Sequence, residues 1–547
     1  MFFLAEDCII APIIKIRNHI SELYIHHKAF RFLIQINVDH MKIRKSTFTG
    51  LLISVVLFPA TIFSQNLENF EQNVTEFTLD NGLHFIVVQR SVAPVVSFVT
   101  FVDVGGVDEP AGHTGIAHIF EHMVFKGSHT VGTTNWEEEQ EYINKMDEAY
   151  RTWLDEKYSP NPDGDIMEQY WAQFEEYKDR ASEYVVTNEF DEIISREGAS
   201  GLNARTGYDF TDYFYSLPQN RAELWFSLES DRFQNPVFRE FYEEKDVVRE
   251  ERRMGVDSDP FGRLREEFGS IAFAAHPYGR SLIGWPSDIT ATSIKDTQNF
   301  FDTYYTNDNF TFAIVGDVDP EQMREFAEIY FGGIEPTGQA PVVRTIEPQQ
   351  RGERRFVIEE DSQPILMIGY HTVSQTHEDW PALQMLSSVL SSGRTSRLYR
   401  RLVQDDELAL VAQTSVGYPG SKYPSLMVAF GIPNQGVSMD DLEDAIYEEI
   451  ERIKDGDISQ QELDRAITNS RASLVRSLNS NMGLAMQLAR IQGQQGDWRR
   501  LFTYVDDLQN VTLEDLQRVA NTYMVRENRT VGRLITKEED SSVSETQ

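Results

Sequence analysis

Residues 114–128 read TGIAHIFEHMVFKGS, and the interpretation of the whole chain starts from this stretch. Thr114 is placed to cap a helix and Gly127 to end it, so the histidines between them belong on one helix. Residues four apart share a helix face, so His118 and His122 can converge on a single ion while Glu121 projects beside them. The pattern is the inverted counterpart of the HExxH metal-binding helix.

This arrangement predicts a catalytic metal site. Zn²⁺ takes nitrogen and oxygen ligands in a tetrahedral array, and a catalytic site keeps one position for water. A carboxylate beside the ion can remove a proton from that water, which makes Glu121 the candidate base and His118 and His122 candidate ligands. The alternative is two unrelated surface histidines beside a glutamate, because a five-residue pattern also arises by chance.

Length, charge and cysteine content limit the function classes. A chain of 547 residues is too long for one ordinary core, so we expect two domains. The 87 acidic and 50 basic residues give a formal charge of −37, which disfavours nucleic acid as a partner, although acidity also serves solubility. Cys8 is the single cysteine, so a metal would be held by histidine and carboxylate rather than by thiolates.

The segment from Met41 predicts export. It reads MKIRKSTFTGLLISVVLFPATIFSQN, in which a basic part precedes an apolar part and then small or polar residues. We interpret 41–64 as a signal peptide, which implies a periplasmic or secreted protein, and 1–40 as an extension ahead of the true initiator. A membrane anchor is the alternative, but the apolar part is short for a span and contains Pro59. We therefore expect no stable membrane anchor.

The rest of the chain divides into segments of different texture. Residues 76–106 predict two strands joined near 90–94. Residues 136–190 predict a hairpin of two acidic amphipathic helices. We interpret the hairpin as a solvent-exposed addition to the domain surface rather than as a lid over the substrate. The helix-poor stretch 334–350 is the candidate linker, and the strands and helices after it repeat the earlier order, as in a diverged duplication. The predicted domains are a catalytic domain at 66–335 with the insertion 136–190, a second, non-catalytic domain at 350–537, and a tail at 538–547.

Three stretches carry a resemblance to a known family: TGIAHIFEHMVFKGS, then GLNARTGYDFTDYFYSLP at 201–218, then EKDVVREERRMGVDSDPFGRL at 244–264. In this order they resemble the pitrilysin/insulinase family of zinc metallopeptidases, which includes mitochondrial processing peptidase. The resemblance implies an α+β fold of two homologous domains, each a mixed or antiparallel sheet with helices packed on one face. It continues more weakly through SSGRTSRLYRRL at 391–402.

The family pattern also implies roles for further acidic residues. It takes a third metal ligand from a helix reading E-[K/R]-x-x-V-x-x-E, which residues 244–251 match, so that Glu251 would be the ligand and Glu244 a supporting catalytic carboxylate. One Zn²⁺ per chain is then expected. From the residues alone, an ordinary charged helix is the favoured interpretation of this stretch. The segment between His122 and Glu251 exceeds the family's usual length by roughly 50 residues, and the insertion at 136–190 accounts for the excess.

By the same resemblance, peptide substrates would lie along a sheet edge that contains Asn203, Ala204 and Thr206. Strand addition derives affinity from backbone hydrogen bonds, which suits broad specificity. The alternative for Asn203 is a turn residue.

A substrate-holding arginine and tyrosine that the family usually offers from its second domain are missing, because Val403 and Leu410 stand at their places. We therefore expect an exported zinc endopeptidase that is the metal-bearing subunit of a two-chain enzyme with a homologous zinc-free partner. The alternatives are a homodimeric peptidase and a non-catalytic peptide-capturing or scaffold subunit.

Overall fold

The computed structural model of the protein describes residues 70–537. The predicted extension 1–40, the predicted signal peptide 41–64 and the tail 538–547 lie outside the described residues. From Glu71 onward, the described residues form one compact unit that contains two β-sheets with helices around them. An α+β fold with two sheets, as the sequence predicts, is confirmed.

The first sheet is built from residues before the candidate linker. Its strands are β1 (Val74–Thr78), β2 (His84–Gln89), β3 (Val95–Val102), β4 (Ser200–Thr206), β5 (Thr211–Pro218) and β6 (Phe310–Gly316). The helices of this half are α1 (Ile116–Met123), α2 (Trp136–Lys157), α3 (Gly164–Ser182), α4 (Glu189–Arg196), α5 (Ala222–Gln234), α6 (Phe241–Arg252), α7 (Pro260–Ala272), α8 (Pro286–Ala291), α9 (Ile294–Tyr304) and α10 (Pro320–Phe331).

The second sheet follows the candidate linker. Its strands are β7 (Arg354–Glu360), β8 (Ile365–His371), β9 (Ala409–Tyr418), β10 (Leu426–Pro433) and β11 (Arg529–Thr536). Its helices are α11 (Trp380–Ser391), α12 (Met439–Lys454), α13 (Gln460–Ser477), α14 (Asn481–Gln495), α15 (Arg500–Gln509) and α16 (Leu513–Tyr523). Residues 335–351 between the two halves contain neither helix nor strand.

The two sheets share one strand arrangement. The order is β1-β2-β6-β3-β5-β4 in the first and β7-β11-β8-β10-β9 in the second. The parallel pair β2–β6 corresponds to the parallel pair β7–β11, and the neighbours that follow in each order are antiparallel. This repetition agrees with the internal duplication that the sequence suggests. The helix equivalent to α1, between β8 and β9, is α11, whose sequence contains no histidine.

Helices cover both faces of the first sheet. Phe98 of β3 stacks on Trp225 of α5 with ring centroids 4.8 Å apart. Phe101, three positions further along the strand, points to the opposite face because strand side chains alternate. There it contacts Gly493 of α14, which comes from the second half of the chain. The second sheet in turn contacts a helix from the first half of the chain: Phe268 of α7 lies against Gly369 and Gly532.

Two local predictions differ from the structure. The residues expected to form two strands form three, because Leu79 to Gly82 make a tight turn between β1 and β2. The prediction that Thr114 caps the helix carrying His118 and His122 is wrong. Gly115 occupies the cap position, and the Thr114 hydroxyl donates to Asp288 instead.

The acidic hairpin forms as predicted, with α2 and α3 packed against each other. Its aromatic side chains contact α6, as in the pair Tyr150 and Tyr242, whose ring centroids are 4.2 Å apart. Within residues 70–537, no helix has both the length and the apolar character needed to cross a membrane.

The contact between α14 and the first sheet gives a stability prediction. A Cβ at Gly493 would overlap the buried ring of Phe101, and overpacking of this kind costs about 1–3 kcal/mol. We expect Gly493→Ala to lower the melting temperature by several degrees, although alanine favours helix by about 1 kcal/mol. Gly164→Ala at the start of α3 is the matched control, because nothing lies within 4 Å of the added atom. Equal stability of the two variants would contradict the close packing.

Candidate metal centre

Helix α1 carries two of the candidate metal ligands, His118 and His122, and Gly115 fixes where this helix begins. Gly115 has a φ of +89°, a backbone conformation that residues with a Cβ atom rarely adopt. A Cβ there would also lie 2.6 Å from the carbonyl oxygen of Ile283. The apolar residues of the helix are buried, whereas His118, Glu121 and His122 are only partly buried. The histidines and the glutamate therefore face the same side, away from the core.

The structure brings Glu251 of α6 to these histidines. Oε2 of Glu251 lies 3.6 Å from Nε2 of His118 and 3.7 Å from Nε2 of His122. The two imidazole rings are perpendicular, with centroids 4.9 Å apart. The three ligand atoms all lie within 4.8 Å of one another. Residues that are far apart in sequence thus offer two nitrogens and one oxygen around a single point.

This donor set fits Zn²⁺. Metal bonds of about 2.0–2.2 Å in a tetrahedral array place neighbouring ligand atoms about 3.4 Å apart. The separations between Glu251 and the two histidines are close to that value. Burial, reinforced by the neighbouring His122, lowers the pKa of His118 to about 3. His118 is therefore neutral at physiological pH, which is the form that binds a metal.

Glu244 orients the second histidine. Its Oε2 lies 3.0 Å from Nδ1 of His122, which places the proton on Nδ1 and leaves Nε2 free to face Glu251. The other carboxylate oxygen of Glu244 is 2.6 Å from Nζ of Lys126, which also contacts Glu240 at 2.9 Å. Although burial raises it, the pKa of Glu244 is lowered overall by His122 and Lys126. Glu244 therefore stays ionised and holds the imidazole.

Glu121 lies beside the ligands with one oxygen engaged. Its Oε2 accepts a hydrogen bond of 2.5 Å from the Thr206 hydroxyl. Burial raises the pKa of Glu121 to about 7, against the lowering effect of the Thr206 bond and of His122. A carboxylate with a pKa near neutrality is suited to taking up and returning a proton.

The predicted substrate-binding residues occupy the edge strand β4. This strand ends the sheet order, so it pairs with β5 on one side and has no strand on its other side among the described residues. Asn203 and Ala204 line a cavity that also reaches Glu121 and His122. Thr206 contacts the candidate base directly, which its place in the motif did not reveal. The substrate-binding role of the three residues stays a prediction.

Sequence reasoning missed Lys126 and Lys245. Lys126 lies one helical turn after His122, but its partners Glu240 and Glu244 are remote in sequence, so only the packing of α1 against α6 identifies it. Lys245 is buried, and its ammonium donates to the carbonyls of Thr290 and Thr292 at 3.1 and 2.6 Å. These bonds fix α6, which carries the third candidate ligand.

The positions where the family offers an arginine and a tyrosine hold no such groups. Val403 is half-buried within the π-helical turn Tyr399–Asp405, and Leu410 of β9 is 53% exposed. The nearby Arg401 is engaged in ion pairs with Glu448 and Glu449. These residues therefore do not substitute for the missing pair.

Two family models and several curated proteins match this chain. Residues 85–162 match the model described as insulinase (peptidase family M16), and residues 291–470 match the model described as the peptidase M16 inactive domain. The zinc protease PqqE of Helicobacter pylori is 27% identical over 478 residues, which cover 86% of this chain and 95% of that protein. A probable mitochondrial-processing peptidase subunit beta of Arabidopsis thaliana is 21% identical, covering 82% of this chain and 75% of that protein.

Solved structures show the same fold. A protease from Helicobacter pylori superposes with a TM-score of 0.70 and 26% identity, covering 84% of this chain and 99% of that chain. The periplasmic protease PqqL of Escherichia coli superposes with a TM-score of 0.62 and 17% identity, and the match covers 85% of this chain but 48% of PqqL. The protein belongs to the insulinase family of peptidases, family M16.

The metal centre gives a direct prediction about zinc. We expect the wild-type protein to retain one Zn²⁺ per chain after dialysis, measured by mass spectrometry of the metal, and His122→Ala to retain none. Glu244→Ala should weaken affinity about 10–100-fold because His122 loses its orienting partner. His377→Ala, which alters a partly exposed histidine of the second half, serves as control. Tight binding of one zinc by His122→Ala would exclude this site.

Proposed function

We propose that the protein is an exported zinc-dependent endopeptidase that hydrolyses peptides or small unfolded proteins. One observation carries the proposal: the ligand atoms of His118, His122 and Glu251 converge beside the carboxylate of Glu121. A purely structural ion site would not need a second carboxylate, outside the ligand set and with a pKa of about 7, beside the ion. The presence of both the candidate ligands and the candidate base favours catalysis over simple metal storage.

In this proposal each side chain has a distinct task. His118, His122 and Glu251 would hold a zinc ion, which when bound would supply the Lewis acidity that acidifies water and polarises a peptide carbonyl. Glu121 accepts the proton of the attacking water on its free oxygen and later delivers a proton to the leaving amine. Thr206 fixes the carboxylate rotamer through its hydrogen bond to Oε2. Glu244 keeps His122 in the tautomer that points Nε2 toward the metal.

The open edge of β4 supports a strand-like mode of substrate binding. A peptide added beside Asn203 and Ala204 would form backbone hydrogen bonds and would pass the carboxylate of Glu121, because Thr206 of the same strand contacts it. Backbone bonding is available to any extended sequence. The mode therefore suits an enzyme that accepts peptides or unfolded segments.

We further propose that the protein is the metal-bearing subunit of a two-chain enzyme. Val403 and Leu410 cannot hydrogen-bond a substrate or an oxyanion, so such donors would have to come from elsewhere. The match to PqqL covers only 48% of that longer chain, and the Arabidopsis relative is named as a subunit. Both are consistent with a second unit of the same fold, supplied by a zinc-free partner chain or by a second copy of this one.

The proposal of export rests on the signal-like segment 41–64, and the PqqL neighbour is described as periplasmic.

The rival function is a non-catalytic subunit that captures peptides. It draws on the match of residues 291–470 to a domain described as inactive. That match begins at residue 291, after the candidate ligands, so it includes the last elements of the first half but none of the candidate ligands or the candidate base. A non-catalytic chain would bind peptides and leave them intact.

The proposed base gives the decisive test. Protein purified by an affinity tag from its source organism, so that any partner chain stays bound, is assayed with a quenched fluorescent peptide library. We expect Glu121→Gln to lower kcat/KM by about 10²–10⁴-fold, because general base catalysis is lost, while the zinc content stays at one per chain. Glu192→Gln on the exposed side of α4 should retain activity. Undiminished hydrolysis by Glu121→Gln would remove this residue from the mechanism.

The Thr206 contact makes a separate prediction. Thr206→Val keeps the shape of the side chain but removes the donor to Glu121, and hydrogen bonds to charged groups contribute about 1.5–3 kcal/mol. We expect kcat to fall about tenfold or more with little change in KM, and Thr206→Ser to restore most of it. A rise in KM at constant kcat would instead assign Thr206 to substrate binding.

A further inference from the structure

A cavity of about 320 Å³ opens directly beside the proposed catalytic groups. Its lining includes Glu121 and His122 and, from the edge strand, Asn203 and Ala204. A peptide bound along β4 with its scissile bond at Glu121 would therefore direct a neighbouring side chain into this space. The volume exceeds that of about ten water molecules, so a long side chain fits.

One wall of the cavity is apolar. It is formed by Phe125, Val185, Val186 and Phe190. The Phe125 and Phe190 rings meet edge to face with centroids 6.4 Å apart. Such a wall packs well against the methylene stem of a long side chain, and long basic side chains commonly bury their stems in this way.

The remaining lining is acidic and only partly neutralised. Lys126 is shared by Glu240 and Glu244 at 2.9 and 2.6 Å, so one cation faces two carboxylates. The Arg239 guanidinium is engaged by Glu139, and its Nη atoms also donate to backbone carbonyls. It therefore offers no net positive charge to the cavity.

Two further carboxylates have no paired cation in the described part of the chain. Glu189 accepts a hydrogen bond of 2.5 Å from the backbone amide of Gly132. Asp191 forms no ion pair with residues 70–537; Arg232, which pairs with Glu229 at 2.6 Å, and Lys126 act on it through space only. Glu189 and Asp191 both line the cavity, so a cationic group bound there would meet their negative charge, and charge-assisted bonds are stronger than neutral ones.

The insertion positions this lining. Gly132, ahead of α2, receives a hydrogen bond from the amide of Val186, which follows α3, at 3.0 Å. Thr133 and Val185 form a β-bridge at the same place. The base of the acidic hairpin therefore holds both the apolar wall and the start of α4, where Glu189 and Asp191 lie.

We propose that this cavity binds the side chain of a lysine or arginine next to the scissile bond, with Asp191 as the residue that determines the preference. The inference deepens the proposed peptidase function and rests on it for the position of the scissile bond. The apolar wall holds the methylene stem, and Asp191 with Glu189 receives the charged end.

The test separates binding from hydrolysis. The zinc-loaded Glu121→Gln protein, with any partner chain retained, is titrated with fluorescent peptides that differ only in lysine, arginine, norleucine or glutamate at one central position. We expect lysine or arginine peptides to bind at least tenfold more tightly than the norleucine peptide. Adding Asp191→Asn should remove most of this difference, whereas Glu192→Gln, which removes a neighbouring charge outside the cavity, should leave it.

Cleavage mapping then gives the position. With Glu121 intact, mass spectrometry of library products should show lysine or arginine enriched at one residue adjoining the cut, and Asp191→Arg should shift the enrichment toward glutamate. Equal binding of the lysine and norleucine peptides, or a preference that survives Asp191→Asn, would overturn the proposal. Preferential binding without any cleavage by the zinc-loaded wild type would instead refute the peptidase function and leave the cavity assignment standing.

Discussion

The structure depends on one constraint: two imidazoles on a single turn of α1 must meet a carboxylate of α6. The turn aligns His118 and His122 by itself, but Glu251 reaches them only if the two helices pack at a fixed distance and register. Three polar contacts hold that register. Glu244 contacts His122, Lys126 in the turn after α1 contacts Glu244 and Glu240, and buried Lys245 ties α6 to the carbonyls of Thr290 and Thr292. The first two are charge-assisted bonds between partly buried groups, where such bonds are strong, whereas Lys245 is fully buried and burial lowers its pKa to about 7.

The two sheets serve this constraint in different ways. The first sheet carries α1 on one face and presents β4 as an open edge beside it, so the ligands, the base and a surface for extended peptide lie together. The second sheet repeats the arrangement, but its equivalent helix α11 is apolar and lacks histidine. The halves are joined by exchange of helices, with α14 lying on the first sheet and α7 on the second. The second half thus supports the site mechanically, because it covers the back of the sheet that holds it.

The sequence predicted much of the fold because the signals were local. The acidic helical hairpin within 136–190 and the succession of strands and helices after the linker follow from residue type and periodicity, and the structure has both. The two errors had different causes, one local and one tertiary. The strand predicted at 76–89 is a hairpin, because Asp80 to Gly82 allow a turn within a run that otherwise reads as extended. Thr114 was assigned to the helix cap, but a tertiary partner, Asp288, engages its hydroxyl.

The sequence by itself determined that two histidines and a glutamate share a helix face, because helical geometry is fixed by spacing along the chain. Through family resemblance it also pointed to Glu251 and Glu244. Only the tertiary structure decided that Thr206 contacts Glu121 and that Lys126 neutralises Glu244. It also decided that residues where the acidic hairpin joins the domain line a cavity next to Glu121. Some of those contacts join residues more than a hundred positions apart. They form because of how the helices and sheets pack, and no pattern along the chain predicts them.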